Sequence, residues 1–397
     1  MIKDEDIAYI SKLNETIHDL EQIDYSALNV SHGFQTDGFL GGFTAVIKKI
    51  KYALHLQFLL GVLGGIIAAS AYVAVVYSTK GMPSSLGWLK TILSGLIFPG
   101  GIIMITFLGG SLFTSHSMAT LPVMLNAVDK KPFFKALFVT LLGNMTGALI
   151  VPIIFMGTGA FKDEAFYNAM TSTITHKMFQ MGDVLEESVH SGLNTAPELK
   201  LWIIAIVSSL FSGILCNFLV STTLPITFSS KYPMASVAVM FFSLSFFVIS
   251  GYNHGPANFF FFWSWIVMYI QHPAGVEMFP WWGPLAFLVV NVIPALFGNW
   301  LGGGLIMPLI LYSNNKDLTQ LLVKKVILER AQVALKEVNG EVFMTSTGAA
   351  IDTQFLEDIK KERDRKALEK ENEILKEITK KEIRKKELEE PDSDRNS

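Results

Sequence analysis

The residues able to do chemistry in this chain are few, and they stand where charge is otherwise absent. His254 lies in the run Gly251-Tyr252-Asn253-His254-Gly255-Pro256-Ala257-Asn258, with no Lys, Arg, Asp or Glu between Lys231 and Glu277. An ionisable group in so apolar a stretch is costly, and as a rule it faces a cavity or a partner. Two readings are open: a neutral imidazole hydrogen-bonded between helices, or a group that handles a ligand. The neighbours favour the second. Ser250, Gly251, Gly255 and Pro256 weaken a helix at this point, and an interrupted helix brings backbone N–H groups and a helix N-terminus beside the imidazole, which suits an anion.

A second polar group occurs as Leu112-Phe113-Thr114-Ser115-His116, after Gly109, Gly110 and Ser111. The Thr114 hydroxyl can donate to an anion or to His254. His116 is a second titratable group, although an interhelical hydrogen bond is the plainer role for it. Asn217, alone in an apolar run, either joins helices or lines a pore. Cys216 is the single cysteine, so neither an intrachain disulfide nor a Cys-based zinc site can form, and a small buried hydrophobe is its expected role. There is no convincing nucleophile–base pair or metal-ligand set, so neither an enzyme nor a cofactor is expected.

The elements that position these residues follow from composition. Half of the 397 residues are hydrophobic and 17% are charged; the mean hydropathy is +0.40. The apolar residues come in runs, which is the pattern of a protein in a lipid bilayer. A net charge of -3 with no basic face gives no hold for nucleic acid. The first 45 or so residues are polar, too long a lead for a cleaved signal peptide. Apolar runs fall at 53–77, 91–128, 133–156, 201–228, 232–276 and 280–312. A crossing takes about 20 residues for about 30 Å of hydrocarbon, so four of these are ordinary spans. The runs 91–128 and 232–276 have 38 and 45 residues without Lys, Arg, Asp or Glu. At about 1.5 Å per residue each is too long for one straight crossing, and neither has a charged turn to divide it. The expectation is two half-helices joined by a loop in each, at 109–115 and 250–256. Non-helical backbone at that depth survives only against protein or a wet cavity.

Lys48, Lys49, Lys51, Lys130, Lys131, Lys135 and Lys231 cluster on one side of six crossings, while Lys80, Lys90, Lys162, Lys177 and Lys200 on the other are spread over longer loops that also hold acidic residues, a modest bias that favours both termini in the cytoplasm. The motif Gly143-Asn144-Met145-Thr146-Gly147 in the third crossing recurs as Gly298-Asn299-Trp300-Leu301-Gly302 in the sixth, and Gly61-Val62-Leu63 is echoed by Gly213-Ile214-Leu215. An odd number of crossings per repeat makes the two halves inverted, with the broken segment second in each. The expected organisation is a polar segment over 1–45, a transmembrane domain over 46–314 and a charged extension over 315–397. Leu368, Leu375 and Ile378 lie among the Lys and Glu of that extension, which is either partly helical or coiled-coil, or a flexible charged tail.

In this order the motifs resemble the formate/nitrite transporter family, over about 41–312: Leu112-Phe113-Thr114, Gly213-Ile214-Leu215-Cys216-Asn217, the Gly-x-x-His-x-x-Ala-Asn run from Gly251 to Asn258, and the two Gly-Asn-x-x-Gly motifs. The resemblance implies an all-α integral membrane protein of aquaporin-like fold, with six transmembrane helices as an inverted 3+3 repeat, broken in the second and fifth. It implies a homopentamer in the cell membrane with one pore per protomer, and a central His254 hydrogen-bonding with Thr114 and Asn217. By family spacing it puts constrictions at Phe98 and Ile102, at Leu112 and Phe113, and at Phe247, with the anion-drawing lysine at Lys200. The chain departs from the family in having Ser111 and Asn253 where acidic residues are usual, and in its tails and the long loop 158–198.

The function expected is passage of small monovalent anions: formate, nitrite, and by extension lactate or hydrosulfide. A carboxylate cannot cheaply cross rings of Phe and Ile as an anion, so Lys200 and the helix dipoles draw it in, and a proton shared with His254 makes it transiently neutral. Protons and the lipid bilayer are then the other partners. Two competing readings are a neutral-solute channel of aquaporin type, for which the chain has Gly255-Pro256-Ala257-Asn258 but no paired Asn-Pro-Ala motif, and a membrane scaffold whose C-terminal extension recruits partners.

Overall fold

The computed structural model describes residues 4–178, 199–276 and 281–362, and beyond these 365–366, 369–370, 373, 376–377 and 380. Leu368, Leu375 and Ile378, and the part of the long loop at 179–198, lie outside the described residues. The chain forms two compact units: His18–Glu329 with Ser346–Gly348, and Met1–Ile17 with Arg330–Thr345 and Ala349–Ser397. In the second, strands β1 (Val342–Met344) and β2 (Ala350–Asp352) make an antiparallel hairpin with Phe343 opposite Ile351. Nothing in the hydropathy of the tail announces that hairpin.

The larger unit is helical. Among the described residues five helices are long and apolar enough to cross a membrane, Leu54–Thr79, Ser84–Leu108, Lys130–Met156, Lys200–Ser229 and Gly283–Asn314, and Pro233–Ile249 is apolar but shorter. In chain order its helices are α2 (Phe34–Ile50), α3 (Leu54–Thr79), α4 (Gly87–Leu108), α5 (Phe113–Ser117), α6 (Thr120–Met124), α7 (Lys130–Met156), α8 (Glu164–Met178), α9 (Leu199–Val220), α10 (Thr223–Ser229), α11 (Pro233–Ile249) and α12 (Gly255–Ile270). The apolar helix Gly283–Asn314 follows as α13, and Asp4–Glu21 is α1.

The two long apolar runs behave differently. In the first, α4 already starts at Gly87, stops at Leu108 with Gly109 left-handed at φ 77, and the chain resumes as two five-residue helices. The piece before the interruption is thus 22 residues, close to a whole crossing rather than half of one, because Gly87-Trp88-Leu89-Lys90 joins the helix ahead of the apolar run. In the second run α11 and α12 have 17 and 16 residues, separated by 250–254.

Glycine sets the distances between the main helices. A Cβ on Gly61 would stand 2.8 Å from the Thr140 carbonyl oxygen, and one on Gly143 2.5 Å from that of Phe58, so α3 and α7 approach backbone to backbone. In the same way a Cβ on Gly213 would stand 2.6 Å from the Ala295 carbonyl oxygen, and one on Gly298 2.9 Å from Ile214 N, closing α9 on α13. Small residues allow this approach where lipid offers no hydrophobic drive between helices. α13 is wound as a π-helix over Leu288–Val292 and Trp300–Ile306.

Candidate functional site

Each interruption is held by one asparagine. Asn144 on α7 accepts the Phe113 N–H at 2.9 Å and donates to the Gly61 and Ser111 carbonyls at 2.9 and 2.8 Å. Asn299 on α13 accepts the Gly255 N–H at 2.8 Å and donates to the Gly213 and Asn253 carbonyls at 2.8 and 3.0 Å. The two sets correspond bond for bond: the first N–H of the new helix, the carbonyl two residues earlier, and a carbonyl of the neighbouring helix. Both asparagines are fully buried. A carboxamide has one acceptor and two donor hydrogens, so it serves both sides of a chain break that lacks helical partners. The Gly-Asn-x-x-Gly motifs therefore join glycine for close approach to asparagine for the break.

His254 caps α12 and is fully buried. Its Nδ1 accepts the Ala257 N–H at 3.3 Å, and its Nε2 lies 3.2 Å from Thr114 Oγ1. A backbone N–H only donates, so the neutral ring carries its proton on Nε2 and offers it to Thr114. Asn217 does not bond the imidazole. It donates from Nδ2 to the Asn299 carbonyl at 2.7 Å, the Thr114 carbonyl at 3.4 Å and Ser117 Oγ at 3.3 Å, and its Oδ1 accepts from Ser221. It sits on α9, against the backbone of α5 and α13, and so fixes Thr114 rather than the histidine. His116 has no hydrogen-bond partner at either ring nitrogen among the described residues although it is buried, against the interhelical bond expected of it. Its side chain points away from Thr114 because residues two apart do not share a helix face.

A chain of tilted and edge-on ring contacts leads away from His254. Phe247 lies 6.2 Å from it between centroids, Phe98 5.9 Å from Phe247 edge-on, and Tyr72 4.5 Å from both Phe98 and Phe261. Phe98 and Phe247 are fully buried, as are Ile102 and Leu112 very nearly; Phe113 is buried too. Leu112 is the residue before α5, and Phe113 its first residue. Beyond Phe98 and Phe247 a cavity of about 400 Å3 opens, lined among others by Tyr72, Phe247, Lys90, His176, Lys177 and Tyr252. Phe247 thus borders both that cavity and the histidine, and with Phe98 it makes a buried aromatic plug beside the imidazole.

The cation at the plug is Lys177. Its Nζ is 5.6 Å from the Tyr72 centroid and 5.7 Å from that of Phe261, close enough for cation–π attraction. Lys200, by contrast, is exposed at the start of α9. Burial lowers the Lys177 pKa to about 8. The helix that carries it, α8, buries Phe166, Met170 and Ile174 on one face, and Lys177 continues that face three residues on. A lysine in an apolar stripe is the signal the sequence offers for it; the family spacing points to Lys200 instead. Tyr72, Phe261, Asn144 and Asn299 were likewise not singled out as site residues, the first two because rings are abundant.

Ahead of α5, Lys49 on α2 donates to the Gly110 carbonyl in the first interruption at 3.2 Å. Burial lowers the pKa of this ammonium.

Long apolar helices, two of them interrupted around one buried histidine, and a cation-bearing cavity closed by aromatic rings describe a helical membrane transporter or channel. The formate/nitrite transporter family matches residues 42–313, well over half of the chain, and the chain belongs to this family. The formate channel FocA of Escherichia coli K12 is 24% identical over 284 residues, 68% of this chain and 91% of its own. The transporter YrhG of Bacillus subtilis is 26% identical over 292 residues, 71% and 94% of the two chains, and the formate-nitrite transporter of Entamoeba histolytica 25% over 259, 64% and 63%. Among solved structures, a pentameric formate channel with formate bound aligns with TM-score 0.52 at 23% identity, over 66% of this chain and 97% of its own. An ion channel of the same family gives 0.54 at 20%, over 70% and 99%. At these identities the structural likeness is one of fold.

Proposed function

We propose that this protein passes small monovalent anions, formate and nitrite first among them and lactate or hydrosulfide by extension, through a pore in each protomer of a homopentamer. It is read as lying in the cell membrane with both termini cytoplasmic, six crossings forming an inverted 3+3 repeat around the two interruptions. The observation that carries the reading is the placement of His254 Nε2 at Thr114 Oγ1 where α5 and α12 start, with Lys177 lining the same cavity as Phe247 and lying against Tyr72 and Phe261.

An anion drawn into the cavity by Lys177 meets the plug, which it cannot enter charged without a large desolvation cost. Where Phe247 borders both the cavity and the imidazole, His254 offers Nε2–H to the anion in place of Thr114. When a proton from water reaches Nδ1, releasing the long 3.3 Å bond from Ala257, the imidazolium gives its Nε2 proton to the anion. The acid formed is neutral and crosses the rings; the imidazole is left neutral and returns to its resting tautomer through water. Passage is proton-coupled at low pH and more channel-like otherwise.

Flux of formate, nitrite and lactate into vesicles holding the wild type or His254→Phe tests this. The variant is expected to lose anion flux while still assembling. Equal flux from a fully assembled variant would remove the histidine from the mechanism.

A further inference from the structure

Lys177 comes from α8, a helix between the third and fourth long apolar helices, and something must hold that helix at one height over the plug. At its start the Asp163 carboxylate accepts the Ala165 N–H at 3.0 Å and pairs with Lys80. Near its end the bond is of another kind. The backbone carbonyl of Lys177 accepts from Asn291 Nδ2 at 2.6 Å, Asn291 Oδ1 accepts from Asn258 Nδ2 at 2.7 Å, and the same Asn258 Nδ2 donates to Asn253 Oδ1 at 3.0 Å. Asn253 is the residue before His254. All three asparagines are fully buried.

We infer that Asn291 and Asn258 are positioning residues that tie Lys177 to the histidine loop, so that cation and imidazole keep a fixed spacing across the plug. This rests on the anion-pore reading above.

Two features support it independently of one another. The first is the polarity of the chain of amides. The Lys177 carbonyl can only accept, so Asn291 must present its NH2 to it and its oxygen to Asn258; Asn258 must then present its NH2 to Asn291, and its second hydrogen goes to Asn253. One backbone carbonyl thereby orients three side chains, and Asn258 Oδ1 is left with no partner among the described residues. A network serving only to join α12 and α13 has no need to end on the lysine's own carbonyl. The second is that Asn291 lies in the π-wound stretch Leu288–Val292. An extra residue in a helical turn shifts the direction of the side chains, is uncommon, and recurs at functional sites. Here the shifted side chain is the one that reaches α8.

The test is Asn291→Leu, which removes both arms at similar volume, with Asn291→Ser as a smaller variant should the first not assemble; a serine hydroxyl is too short to span both partners. In vesicles at pH 7, each is expected to raise the half-saturating formate concentration about tenfold, the same rise as is expected of Lys177→Gln, with maximal flux within about twofold of wild type. A focused charge raises local anion concentration by at least that factor. Combined with Lys177→Gln, neither variant raises it further, because both act through one cation. A purely structural role gives less assembled protein or lower maximal flux with an unchanged half-saturating concentration, or adds to Lys177→Gln, and either result overturns the inference. Amine labelling of Lys177 in the detergent-purified protein, read by mass spectrometry, does not need transport. A rate raised at least severalfold by Asn291→Leu or Asn291→Ser supports the tie even if the wild type carries none of these anions, and an unchanged rate refutes it.

Discussion

Substituting leucine for Asn299 removes one side chain and strands several backbone groups. Its Oδ1 holds the Gly255 N–H and its Nδ2 holds the Gly213 and Asn253 carbonyls. Gly213 lies within α9, where its carbonyl retains a helical donor, so the loss falls mainly on the Gly255 N–H and the Asn253 carbonyl beside His254. A buried group left unsatisfied costs about 1–3 kcal/mol, so the two together cost about 2–6 kcal/mol, a large part of the roughly 5–15 kcal/mol that stabilises a typical domain. Asn144→Leu strands the Phe113 N–H and the Ser111 carbonyl in the matching positions and is expected to cost the same. The assay is thermal loss of the assembled protein in detergent, followed by size exclusion for wild type, both variants and Leu142→Ala as a control on a half-buried neighbour. Both asparagine variants should fall well below the control. If either keeps the wild-type midpoint, or if one falls far and the other not at all, the assignment of one asparagine to each interruption is wrong.

A lysine whose pKa is lowered to about 8 by burial is charged below that pH and neutral above it. The half-saturating anion concentration should therefore rise as pH passes from 7 to 9, and Lys177→Met should be higher throughout and lack that step; a step of equal size in the variant assigns the titration elsewhere. Gly143→Val should drive α3 from α7, since even a Cβ there would stand 2.5 Å from the Phe58 carbonyl oxygen. Overpacking of this kind costs about 1–3 kcal/mol or more, and a wild-type yield and melting midpoint for the variant would contradict the helix spacing.

Much of this protein is written locally. Runs of apolar residues dictate long helices whatever surrounds them, because every backbone group of a helix is satisfied within it. The stretches around Gly109 and Gly251 stop a helix by their own chemistry: both glycines are left-handed in the structure, at φ 77 and 71. Gly143 and Gly298 mark where helices touch, since a missing Cβ is a local fact with a long-range result. His254 and Thr114 were visible as polar residues in apolar runs, and the fold sets them 3.2 Å apart.

What the chain could not disclose residue by residue is which partner each polar group meets. Lys177 and Lys200 flank the same stretch of sequence, and only the folding of α8 against Tyr72 and Phe261 puts the first at the plug and leaves the second exposed. Asn217 bonds the backbone of Thr114 and Asn299 instead of the imidazole, and the His116 ring nitrogens meet no hydrogen-bond partner among the described residues. Asn258 and Asn291, 33 residues apart, meet because α12 and α13 pack together with one π-turn of offset. A hydrogen bond depends on distances to within a few tenths of an ångström, and those are set by the sum of all the packing, which no short stretch of sequence contains.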